Sequence, residues 1–163
     1  MTENIKNTER EGTGDEFSRS MTLQQKIDTL GFHEKFKLAI SGSWSERSIL
    51  VRDRNKTIAA TVLKSPKTTE QEVVAIAQMR NVDEEVLRQI GQNRQWIRAY
   101  PIILSLVNNP KTPIAVALNF MNRLTNKDLK ALKMSKNVPE AVAKKAGRMF
   151  AARTGGRMTP KSV

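Results

Sequence analysis

A chain of 163 residues has the length of one domain with a core of ordinary size. Its formal net charge of +12 attracts anionic partners: nucleic acid, acidic protein surface or anionic lipid. The absence of cysteine excludes disulfides, a thiolate metal site and a cysteine nucleophile. No apolar run approaches the roughly 18 residues that a membrane-spanning helix needs. A basic start followed by an apolar stretch is also lacking, so no signal peptide is legible and a cytoplasmic location is expected.

The charge is unevenly placed. Residues 1–20 hold five acids (Glu3, Glu9, Glu11, Asp15, Glu16) and three bases (Lys6, Arg10, Arg19), a net of −2, which leaves +14 for the remainder. After Asp128 the only acid is Glu140, against nine Lys and Arg.

In chain order, residues 1–20 carry one aromatic, Phe17, among Thr, Glu, Asn and Arg, and read as a disordered tail. Thr22 and Gln25 have the spacing of a capping box, which predicts a helix to Leu30 stopped by Gly31. A second helix follows, with Phe32, Phe36, Ala39 and Ile40 on one stripe, ending at Gly42. Ser43 and Glu46 form another capping box and start a short helix through Val51. Asn55 to Leu63 is predicted helical, ended by Ser65-Pro66 because the residue before proline is pushed out of the helical region. Thr68 caps the next helix, through about Met79. Residues 81–91 read as a short helix closed by Gly91. Residues 94–107 carry Trp96, Tyr100, Ile103 and Val107 at helical spacing, and Pro101 is expected to kink or split that segment. Thr112 with Pro113 starts a helix whose stripe is Ile114, Ala117, Leu118, Met121 and Leu124. Thr125 and Asp128 begin another. Asn137 to Glu140 begin the last, with Val142, Ala146, Met149 and Phe150 inward. No stretch alternates as a strand does, so the fold class is all-α. The expected organisation is a tail at 1–20, a helical repeat domain at 21–152 and a basic flexible tail at 153–163.

Two internal matches point to repetition. Residues 58–68 match 102–112 at an offset of 44, around VLKSPKTTE at 62–70 and LVNNPKTPI at 106–114. Residues 81–91 match 137–147 at an offset of 56, sharing Asn-Val-x-Glu-x-Val and the final Gly. Short helix pairs with one apolar face each bury it by stacking, so the pattern predicts a solenoid of about eight helices. With Asn109-Pro110-Lys111-Thr112-Pro113 followed by Ile114, Leu118, Met121 and Leu124, the chain resembles the leucine-rich repeat variant family and its HEAT-like relatives over about residues 50–150. Residues 53–59 and 81–86 resemble the companion short helix of such units. The resemblance implies a right-handed superhelix of alternating helices, some short or 3₁₀-like. The cysteine-bound iron–sulfur cluster known in that family has no ligands here, and the family lends no catalytic residue.

Enzymatic chemistry finds little support. There is no G-x-x-x-x-G-K-[ST], G-x-G-x-x-G or G-x-S-x-G. The single histidine, His33, has no second histidine or cysteine with which to hold a metal. The acids Asp83, Glu84 and Glu85, and Glu70 with Glu72, fall in first helical turns, where the dipole favours them. Trp96 and Tyr100 read as an inward stripe.

Basic residues remain as candidates. Lys67 and Lys111 occupy equivalent turn positions and should line one ridge. Arg80 and Arg123 end the helices that follow those turns, and Arg94 and Arg98 lie one turn apart. Lys144, Lys145 and Arg148 crowd the last helix. These residues suggest a non-enzymatic scaffold, without cofactor or metal, that docks an acidic partner. An acidic protein surface is the first expectation. Backbone binding of nucleic acid is the second, with contacts to phosphate and steep salt dependence. Exposed aromatics at regular spacing are too few for base stacking. The oligomeric state is not legible.

Overall fold

The computed structural model describes residues 21–155. The expected tail at 1–20 and most of the basic tail, 156–163, lie outside the described residues. Among the described residues there are ten α-helices, two 3₁₀ turns and no strand. All-α is therefore right, and the helices number ten where about eight were expected. They are α1 (Leu23–Asp28), α2 (Phe32–Ser41), α3 (Trp44–Leu50), α4 (Lys56–Val62), α5 (Glu70–Gln78) and α6 (Glu84–Gln92). A 3₁₀ turn at Trp96–Arg98 precedes α7 (Tyr100–Asn108). Then come α8 (Ile114–Phe120), a 3₁₀ turn at Met121–Arg123, α9 (Asn126–Met134) and α10 (Glu140–Thr154).

Caps divide the chain this finely. Thr22 and Ser43 each close the capping box read from the sequence, with Gln25 and Glu46 reaching back to the cap amides. Pro101 splits its segment as expected: Ala99 is the N-cap, proline falls in the first turn of α7, and the chain before it is 3₁₀. Helices of 6–10 residues are not stable alone, so packing must hold α1 to α9. The principal contacts join helices one or two apart in the chain, such as α2 with α4, α5 with α7 and α9 with α10. Leu50, Ile76, Leu87, Ile103, Leu106 and Leu132 are among the fully buried side chains of one continuous core. Each contributes about 2 kcal/mol by leaving water.

One connector recurs. After α5, α7 and α9 an extended C-cap residue (Met79, Asn109, Ser135) is followed by three residues and the next N-cap (Asp83, Pro113, Pro139). The last of the three (Val82, Thr112, Val138) is buried and plugs the core. The turn after α4 has the same spacing from Ser65 to the N-cap Thr69, but its helix ends earlier, at an αR C-cap, Leu63, and Thr68 is only half-buried. Both sequence matches fall on this connector.

Several local expectations are corrected. Thr69, not Thr68, caps α5 and forms the box with Glu72, while the Thr68 hydroxyl donates to the Val62 carbonyl. Thr112 is no cap either: it is buried, and Pro113 holds the N-cap position. Gly91 lies inside α6, where a Cβ would stand 2.6 Å from Val116 Cγ1, so glycine serves the close approach of α8 and not helix termination. Phe32 and Phe36 are exposed, at 45% and 40%, because the covered face of α2 is centred on Lys35, Leu38 and Ala39, and the two rings fall on its flank. The last helix runs through Thr154, and the Arg153 guanidinium donates to the carbonyls of Leu124 at 2.6 Å and Asn122 at 2.9 Å.

Candidate functional site

The nine candidate cations separate into structural and surface groups. The Lys67 ammonium donates to the Ser41 carbonyl at 2.5 Å, at the C-terminal end of α2. The Arg123 guanidinium donates to the Ile97 carbonyl at 2.5 Å and ties the second 3₁₀ turn to the first. Both exposed side chains thus satisfy orphan carbonyls. Arg80 borders a cavity of 320 Å³ with Gln78, Ser105 and Asn108, at the C-terminal ends of α5 and α7. Arg94 and Arg98 are exposed, but Arg94 precedes the 3₁₀ turn that contains Arg98, so they do not share an α-helical face. Lys111 is exposed in the connector after α7.

Only Lys144, Lys145 and Arg148 are brought together. They line one side of a 500 Å³ groove between α8 and α10, with Ala141; Leu118, Asn119 and Asn122 form the other side. The spacing explains the convergence. Residues 141, 144, 145 and 148 recur at i, i+3, i+4 and i+7, which places them on one helical face. The opposite face of α10 buries Val142 and Ala146. Lys144 pairs with Glu140 at 2.6 Å, both side chains being more than 60% exposed. Among the described residues neither Lys145 nor Arg148 has a carboxylate partner.

The groove is lined by cations, amides and aliphatic carbons. It can hold carboxylates or phosphates by charge and hydrogen bonding. Among the described residues no group of three or more His, Cys, Asp or Glu is arranged to hold a metal ion.

Two polar clusters elsewhere are architectural. Arg47 is 2% exposed: it donates to both oxygens of Glu72 at 2.6 and 2.7 Å, to the Gly42 carbonyl at 2.7 Å and to the Lys67 carbonyl at 3.3 Å. The Tyr100 hydroxyl donates to Asp128, as does the Thr125 hydroxyl at 2.5 Å. Those two bonds, Thr125 first, hold the Asp128 carboxyl below the usual carboxylate range against the opposing effect of burial, with a small contribution from Lys127. Asp83, the N-cap of α6, is also lowered, first by the Glu85 amide and then by Lys56 at 3.3 Å and by Arg88. Burial opposes that shift too. Trp96 and Tyr100 are half-buried against the core, as their spacing implied.

Sequence reasoning missed Arg47 and the far wall of the groove. Nothing local marks Arg47, which follows a capping-box glutamate like any exposed helix residue. The cationic face of α10 was legible in principle, from the i, i+3, i+4, i+7 spacing.

No family model, curated protein or solved structure matches the chain.

Proposed function

We propose that the chain is a non-enzymatic α-helical repeat scaffold, of the right-handed solenoid kind that leucine-rich repeat variant and HEAT-like chains adopt, and that it docks an acidic protein in the cytoplasm. The observation that carries this is the convergence of Lys144, Lys145 and Arg148 on one groove. The recurring connector and the contacts between near neighbours support stacked repeats, whose equivalent faces form extended binding surfaces. Lys111, Arg80, Arg94 and Arg98 add exposed positive charge, which steers an acidic partner toward the surface.

Titration of the full chain with fluorescent polyglutamate, and with duplex DNA of matched charge, tests the proposal. Polyglutamate should bind at low salt and weaken as salt rises. Tighter binding of the duplex, with a steep salt slope, would favour a nucleic-acid backbone binder instead.

A further inference from the structure

We infer that the groove between α8 and α10 takes a short acidic segment of a partner protein that carries an aliphatic side chain between its carboxylates. This rests on the reading of the chain as an acidic-partner scaffold and names the feature recognised. Four features of the groove support it.

The cations stand along one edge, and at least two of them are available. Lys145 and Arg148 have no carboxylate partner among the described residues, and the exposed Lys144–Glu140 pair is cheap to exchange for a partner's carboxylate. Arg148 offers the planar fork that grips a carboxylate with two parallel bonds. Leu118 and Ala141, one on each side, add apolar surface to the groove beside its charged and amide groups. An aliphatic side chain fits there, whereas a sugar-phosphate backbone has none to offer. Asn119 and Asn122 are exposed and present carboxamides that both donate and accept, which matches the peptide groups of a bound segment. No aromatic lines the groove, so bases have nothing to stack on.

Fluorescence anisotropy on the full chain separates the possibilities. The probes are a labelled peptide of alternating Glu and Leu, its counterpart with Gly for each Leu, and a single-stranded RNA of equal charge. The Leu peptide should bind most tightly. Lys145→Gln with Arg148→Gln should weaken it about fivefold or more, the scale expected for exposed ion pairs. Lys26→Gln removes a charge from exposed α1 and should leave affinity unchanged. Circular dichroism checks that each variant keeps its helices. Equal affinity for the Leu and Gly peptides overturns the aliphatic anchor and leaves the acidic-partner scaffold standing. A loss with Lys26→Gln as large as with the groove variant overturns the location. Preference for the RNA, or no peptide binding at low salt, overturns both the inference and the function it rests on.

Discussion

The connectors after α4 and α7 are copies in sequence, yet they hold the upstream helix in different ways. At the first, Ser65 Oγ reaches one carbonyl, Ile40 at 2.6 Å, and the Lys67 ammonium takes the next, Ser41. At the second, the Asn109 amide reaches two carbonyls alone, Ala77 at 2.7 Å and Met79 at 2.8 Å. In both, the side-chain oxygen accepts the amide of the lysine two residues on. A carboxamide has two N–H donors and a hydroxyl has one, so serine needs the lysine and asparagine does not. Equivalent lysines are thus unequal: Lys67 belongs to the architecture, and the Lys111 side chain is not needed to cap α5. The first connector is also braced from outside, because Arg47, clamped by Glu72, donates to the Lys67 carbonyl.

The largest way to break the first connector is Glu72→Ala. It strands the buried Arg47 charge and should cost about 3 kcal/mol in urea unfolding. Replacing both partners, Arg47→Met with Glu72→Leu, should recover most of that loss, because no charge is left unpaired. Next come the anchors. Asn109→Ala orphans two carbonyls and should cost about 2 kcal/mol, against about 1 kcal/mol for Ser65→Ala. Equal losses at the two sites would undo the distinction between the connectors. Smaller still, Lys67→Ala should cost about 0.7 kcal/mol at low salt through the α2 terminus, and Lys111→Ala about 0. Thermal unfolding of the two variants side by side checks this.

The smallest effect at neutral pH lies at the N-cap that follows each connector: Thr69, Asp83, Pro113 or Pro139. Only Asp83 titrates, and its folded pKa lies below its unfolded value. The unfolded chain therefore takes up the proton first as pH falls. The stabilisation is complete above the ordinary carboxylate range and is lost as pH drops through it and through the depressed folded value. Asp83→Asn keeps a good cap without the charge. It should lower stability slightly near pH 7, where the charged Asp83 contributes in full, leave it unchanged at low pH, and so flatten the acid limb of a stability-versus-pH curve. Asp128 adds to the same limb with the same sign.

These comparisons mark how far the sequence could be read. Helix positions came from caps and periodicity because both act within four residues. Thr22, Ser43 and Pro101 did what local chemistry says they do. The two connector matches were visible because the turns reuse similar residues. Phe32, Phe36 and Gly91 were misread, because a stripe or a glycine has local meaning only until a neighbouring helix chooses which face to cover. Of the candidate cations, all were visible as charges, but charge alone does not separate a lysine that caps a distant carbonyl from one that faces solvent.

By itself the sequence determined an all-helical chain, its breaks, a repeated Pro-Lys-Thr connector and a strong excess of positive charge. Those follow from short-range hydrogen bonding, apolar spacing and composition. Tertiary structure decided the rest: that Arg47 is buried against Glu72, that Lys67 and Arg123 serve carbonyls 26 residues away, and that Lys144, Lys145 and Arg148 face Leu118, Asn119 and Asn122 across one groove. Each depends on which helices lie side by side, and that is set by how the whole set of short helices buries its apolar faces together.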